Sequence, residues 1–268
     1  MGRMRDTTGL LALLMLSAGP VAASPPPGYQ LVWADLFEGN GLPDPARWVY
    51  DTEANASGWY NGELQYYAVE RLANTSQHGG KLHITARKER LASAADYGGQ
   101  AYTSGRLITR GKASWTYGFV EVRAKLPCAR GAWPAIWMLA DSGDWPAGGE
   151  IDIMEKINTD PTIYATVHTA ASSGTSGVQG TLQLGTACSA FHDYQLTWTP
   201  EELAFGIDGR VYHRYANAHT GSAAWPFDKP MYLILNLAIG GDWPGPPDDT
   251  AFPMEMQIDA VRVYQLSK

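Results

Sequence analysis

Short segments of strict two-residue alternation dominate this chain. Lys81 to Ala86 alternates polar and apolar side chains, and so do Gly118 to Leu126, Tyr164 to His168 and Asp193 to Trp198. Such a period places one set of side chains on each face of a β-strand. Met231 to Leu237 is more continuously apolar, which predicts an inner strand covered on both sides. Alternation returns over Met256 to Tyr264 near the end. Gly, Pro, Asn or Asp separate these segments, and residues 28–268 contain neither an internal repeat nor a low-complexity block. Many short strands with almost no helical periodicity predict an all-β sandwich or jelly roll. Two short helices are expected, over Asp44 to Trp48 and Thr199 to Leu203. A β-sandwich can absorb 268 residues as one domain.

The first residues read as an export signal. Arg3 and Arg5 form a weak basic start, Gly9 to Ala18 is apolar, and Val21-Ala22-Ala23 is a small-residue cleavage site. The apolar run is too short to span a bilayer. The expected division is therefore signal peptide 1–23, Pro-rich leader 24–29 and a single domain 30–268, secreted or periplasmic, with no stable membrane insertion. The formal net charge is −7 and no basic run is present, which argues against a nucleic-acid partner. In an oxidising compartment Cys128 and Cys188 can pair; two separate buried thiols are the alternative, and the sequence leaves both open. Ten Trp and fourteen Tyr suit stacking on sugar rings as well as they suit a β core.

One strand-like segment carries chemistry. In GGEIDIMEKI, Glu150, Asp152 and Glu155 alternate with apolar residues. Burying such a row costs several kcal/mol per ion unless the acids are paired or hydrogen-bonded. Glu150 and Asp152 share a face, whereas Glu155 has the opposite parity. One extra residue taken up as a β-bulge near Ile153-Met154 brings Glu155 to the same face. Glu150 and Glu155 are then about four strand steps apart, roughly 13 Å between Cα atoms. Two Glu side chains leaning inward leave their carboxyls about 5 Å apart, the separation of a retaining glycosidase. Glu150 is expected to act ionised as nucleophile and Glu155 protonated as acid and base. Asp152 sits between them as helper.

These residues resemble glycoside hydrolase family 16, in its laminarinase-type branch. WPAIWML at Trp133–Leu139 followed by GEIDIMEKI is the signature region. NGELQYY at Asn61–Tyr67, TSGRL at Thr103–Leu107, YGFVEVRAKLP at Tyr117–Pro127, FHDYQLTWTP at Phe191–Pro200, LNLAIGGDWPG at Leu235–Gly245 and IDAVRVYQ at Ile258–Gln265 support it. The resemblance covers essentially the whole chain after the leader. It implies a β-jelly-roll of two antiparallel sheets, with a concave sheet forming a glycan cleft. It implies an endo-β-1,3-glucanase with mixed β-1,3-1,4-glucans as secondary substrates, acting as a monomer without a catalytic cofactor. Asn61, Arg106, Trp133, Trp137 and His168 are implied to line the cleft. His168, on the strand after the acids, is expected near Glu155. Trp145 and Trp243 lie in Gly/Pro loops and read as rim contacts or core. A structural calcium ion is implied at Glu38, the Gly80 carbonyl and Asp259. Leu36, in WADLF, departs from the acid that relatives usually carry there. The rivals are a galactan hydrolase on the same fold, acting on agarose or carrageenan, a transglycosylase, and a non-catalytic glucan-binding protein.

Overall fold

The computed structural model describes residues 25–267, so the expected signal peptide and cleavage site lie outside the described residues. In chain order the strands are β1 (Tyr29–Asp35), β2 (Val49–Tyr50), β3 (Gln65–Tyr67), β4 (Thr75–His78), β5 (Lys81–Ala86), β6 (Tyr102–Ser104), β7 (Arg106–Ile108), β8 (Gly118–Lys125), β9 (Ala132–Ala140), β10 (Glu150–Glu155), β11 (Thr162–His168), β12 (Val178–Gln183), β13 (His192–Trp198), β14 (Glu202–Ile207), β15 (Arg210–Ala216), β16 (Met231–Ile239) and β17 (Met254–Leu266). Three short 3-10 turns are the helical elements among the described residues. None is long and apolar enough to cross a membrane.

Two large antiparallel sheets form the jelly roll. One runs β15-β14-β13-β8-β17-β5-β4, with β1 also paired to β17. The other runs β12-β11-β10-β9-β16-β7-β2. Alternating strands of both sheets turn their apolar sides inward, and Val120, Val122, Leu196, Ile258, Val261, Ile136, Met138, Ile151 and Leu235 meet in one core cluster. Every residue of β16 is buried, as expected for an inner strand. Its Leu233, Leu235 and Leu237 face that core, while Ile234 packs with Ile108, Tyr232 and Trp137 on the outer side.

Three details differ from expectation. β1 begins at Tyr29, the last residue assigned to the leader, and the Tyr29 N–H donates to the Pro26 carbonyl. Asp44 to Trp48 is a turn, capped by the Asp44 carboxylate on the Ala46 N–H. Thr199 to Leu203 is a hairpin bend into β14, closed by Thr199 N–H to the Glu202 carbonyl and by Glu202 N–H to Thr199 Oγ1. The Thr-Pro-Glu-Glu run looks like a helix start, but β14 pairs immediately with β13 and leaves no room for a helical turn. Cys128 and Cys188 form a disulfide. Leu36 is 41% exposed, so its departure from the family pattern touches solvent and leaves the core intact.

Candidate active site

β9 serves as a ruler for the acids on β10. Leu139, Trp137 and Ala135, evenly spaced two apart, lie opposite Glu150, Asp152 and Glu155. The register shifts between Asp152 and Met154, so β10 carries one residue more than β9 there. On β11 only Ala165 lies between the partners of Asp152 and Glu155, where β10 has both Ile153 and Met154. Ile151, Ile153 and Met154 all enter the core. The bulge thus returns Glu155 to the outer face, as the parity argument requires.

The outer face of the seven-stranded sheet is laid out in rows. Tyr232, Leu139, Glu150 and His168 form the first, and Ile234, Trp137, Asp152, Thr166 and Gln179 the second. Asn236, Ala135, Glu155, Tyr164 and Thr181 form the third, with Arg106 beside Asn236. His168 therefore stands opposite Glu150. Its Nε2 lies 3.3 Å from Asp152 Oδ2, an ion-pair distance without hydrogen-bond alignment. The expectation that His168 neighbours Glu155 is corrected: β11 runs antiparallel, so Tyr164 takes that place.

Each glutamate receives an indole N–H. Trp145 Nε1 donates to Glu150 Oε2, and Trp133 Nε1 donates to Glu155 Oε1 at 3.0 Å. Thr166 Oγ1 donates more weakly to Glu155 Oε2 at 3.4 Å. Burial, then the Asp152 charge, pushes the Glu150 carboxyl up to about 8. Burial and the Glu150 charge push Glu155 up to about 7. Burial and the Glu155 charge also raise Asp152 well above the usual carboxylate range. Both glutamates are therefore raised above the ordinary carboxylate range, not Glu155 alone. Desolvation acts on Glu150 as well as on Glu155, and three adjacent buried carboxyls resist carrying three charges.

Arg106 is neither solvated nor free. Its Nε donates to Asp51 Oδ2 at 2.7 Å, and its guanidinium lies 4.8 Å from the ring centres of both Trp59 and Trp137. Trp137 also donates from Nε1 to Asn236 Oδ1 at 2.7 Å, and Asn236 Nδ2 donates to Tyr67 Oη at 3.0 Å. Asn61 is exposed in a left-handed turn at φ 56°, and its carbonyl accepts from Asp242 N–H. Its side chain makes no hydrogen bond among the described residues. Trp243 packs edge-on against Trp133 and Tyr164 and is 37% exposed, while Trp145 is 54% exposed; both are rim residues. Glu63 was not singled out in the sequence, although NGELQYY contains it. It accepts from Gln65 Nε2 at 2.7 Å, and burial raises its carboxyl despite the pull of Arg106. Trp59, Tyr67 and Asn236 were missed too, because only the assembled register brings them to Trp137 and Arg106.

The expected calcium set is dispersed in sequence. Glu38 is exposed after β1, Gly80 occupies the β4–β5 turn, and Asp259 is the extra residue of a bulge in β17. All three offer oxygen, which suits calcium. Asp259 Oδ2 also lies 3.5 Å from Arg123 Nε, which competes for that carboxylate.

An antiparallel sheet that carries a Glu-Asp-Glu row on one face, with an indole N–H on each glutamate, defines a carbohydrate-active jelly roll whose paired carboxyls are those of a glycoside hydrolase. The chain belongs to glycoside hydrolase family 16: the profile described as "Glycosyl hydrolases family 16" matches residues 63–259. It is 46% identical to a beta-glucanase of Rhodothermus marinus, over 98% of this chain and 95% of that protein. It is 37% identical to a keratan-sulfate endo-1,4-beta-galactosidase of Sphingobacterium multivorum, over 94% of this chain and 58% of that protein. The crystal structure of SCLam, a non-specific endo-beta-1,3(4)-glucanase from the same family, is 51% identical. It superposes with a TM-score of 0.89, covering 92% of this chain and 95% of that one.

Proposed function

We propose that this glycoside hydrolase is an exported, monomeric, retaining endo-glucanase that cleaves internal β-1,3 bonds of laminarin-like glucans and accepts mixed β-1,3-1,4-glucans. The observation that carries the reading is the bulged register, which sets Glu150, Asp152 and Glu155 in three successive rows of one groove. Four unbulged residue steps on β9 separate the partners of the two glutamates, about 13 Å between backbones. Inward-leaning side chains then suit direct attack better than a water held between two carboxyls.

In the first step the ionised Glu150 carboxylate attacks the anomeric carbon. The bond to the leaving sugar breaks, and Glu155 gives its proton to the departing oxygen. Trp145 N–H and the nearby imidazole of His168 favour the charge on Glu150. Once Glu150 is esterified its charge is gone, so the pKa of Glu155 falls and the group stands ionised. It then takes a proton from water, which attacks the same carbon and releases Glu150 with the β configuration kept. Trp133, Trp145 and Trp243 line the groove, and Arg106 is bound to Asp51 and stacked between two indoles, so it is not free to meet a sulfate. That supports a neutral glucan over a sulfated galactan. The full acid row argues for catalysis over glucan recognition alone.

Reducing-sugar release on laminarin, lichenan and agarose tests the reading. Laminarin and lichenan are expected to be cut and agarose spared, and Glu150→Gln should lose about 10³-fold or more on laminarin. Full activity of that variant, or a preference for agarose, would refute it. A calcium ion at Glu38, the Gly80 carbonyl and Asp259 belongs to the same proposal. It would tie the segment after β1 to the β4–β5 turn and β17, and EGTA should then lower the melting temperature without changing the groove.

A further inference from the structure

Ligand-capable atoms of Glu150, Asp152 and His168 all lie within 4.8 Å of one another, and no second cluster of this kind occurs among the described residues. Asp152 is 3% exposed, and its Oδ2 has no hydrogen-bond partner while facing His168 Nε2 at 3.3 Å. A buried oxygen without a partner is costly and stands ready for a cation. The imidazole is held in place: a Cβ on Gly177 would lie 2.6 Å from His168 Cε1, so the loop packs directly on the ring. Trp145 N–H binds Glu150 Oε2.

We propose that Glu150, Asp152 and His168 Nε2 form a reversible site for a divalent transition cation such as Zn²⁺, and that its occupation closes the groove to glucan. One imidazole and two carboxylates suit zinc, whereas calcium and magnesium prefer oxygen alone. Three protein ligands leave a fourth position for water, the open pattern of a non-structural zinc site. Zinc ligands of the histidine type usually donate their other ring N–H to a carboxylate or carbonyl. Here His168 Nδ1 is buried with no partner. The site therefore lacks the support of a resident cofactor site and binds as an inhibitor does. Only the inhibitory consequence rests on the glucanase reading, because the same Glu150 must be free to attack.

Zn²⁺ titrated by calorimetry into the full chain, with excess Ca²⁺ present, tests the site. One Zn²⁺ per chain is expected. His168→Gln and Asp152→Asn should each weaken binding by more than about 10-fold, since even residues that only orient a ligand cost that much. Co²⁺ added to the unmutated chain should give the intense visible bands of a four- or five-coordinate ion, abolished by Zn²⁺. Zn²⁺ should raise KM for laminarin, leave kcat unchanged and be reversed by EDTA. Unsaturable binding, equal affinity in both variants, or a weak six-coordinate Co²⁺ spectrum would overturn the site. Calorimetry needs no turnover, so a chain that binds Zn²⁺ yet leaves laminarin uncut would refute the glucanase and keep the metal site.

Discussion

Asp152 is buried and Glu150 and Glu155 are half-buried beside it, and the cost shows in their proton affinities. Burial raises Glu155 from 4.5 to about 7. Between those values the folded chain keeps a proton that the unfolded chain has lost. The stability gained from that proton is complete below about pH 4.5 and is lost as pH rises through the folded value. Glu155→Gln removes the penalty. It should raise the melting temperature at pH 8 by several degrees, and the gain should vanish near pH 4.5. Thermal melts of both proteins at the two pH values check this. In the proposed mechanism Glu150 acts ionised with a proton on Glu155, so kcat/KM should trace a bell whose limbs sit above the ordinary carboxylate range. The Asp152 charge raises Glu150 and the Trp145 N–H lowers it. Asp152→Asn should therefore move the acid limb down, and Trp145→Phe should move it up. Opposite shifts in two kcat/KM profiles on laminarin are the expected result.

At the scale of strands, the bulge in β10 is legible because Glu155 has the wrong parity for its neighbours. Ile153 and Met154 both bury themselves in the core to satisfy it. Deleting Met154 would leave Glu-Ile-Asp-Ile-Glu, which keeps all acids on one face of a regular strand. That variant should fold with a loss of about 2–5 kcal/mol for the missing buried side chain and retain measurable hydrolysis. Deleting Ile151 should turn Glu150 away from the groove and abolish activity. Chemical melts and laminarin assays of both deletions distinguish these outcomes. Local alternation also placed β5, β11 and β13 close to their observed bounds, and a continuous apolar run did so for β16. The neighbour of His168 was not legible, because parity along one strand says nothing of which residue lies across the ladder. Nor was the Arg106 stack, which needs Trp59 from a loop and Trp137 from β9 together. The two expected helices failed for a local reason: Asp44 and Thr199 cap turns as readily as helices.

For the molecule as a whole, one bridge ties the loop after β8 to the loop before β13. Those strands are paired, and Leu126 N–H also donates to the Ala187 carbonyl at 3.0 Å beside Cys128 and Cys188. The cysteines are 60 residues apart, so the bridge restricts the unfolded chain by up to about 4 kcal/mol. Cys128→Ser with Cys188→Ser should lower the melting temperature by roughly 10 °C in calorimetry and leave kcat on laminarin intact, since neither residue borders the groove. In the proposed mechanism the seven-stranded sheet holds two carboxyls across one glycosidic bond at a distance that permits direct attack. Proton NMR of laminarin digestion in its first minutes reads that distance as stereochemistry. New reducing ends appearing first as the β-anomer are the predicted result; new ends appearing first as the α-anomer would contradict it.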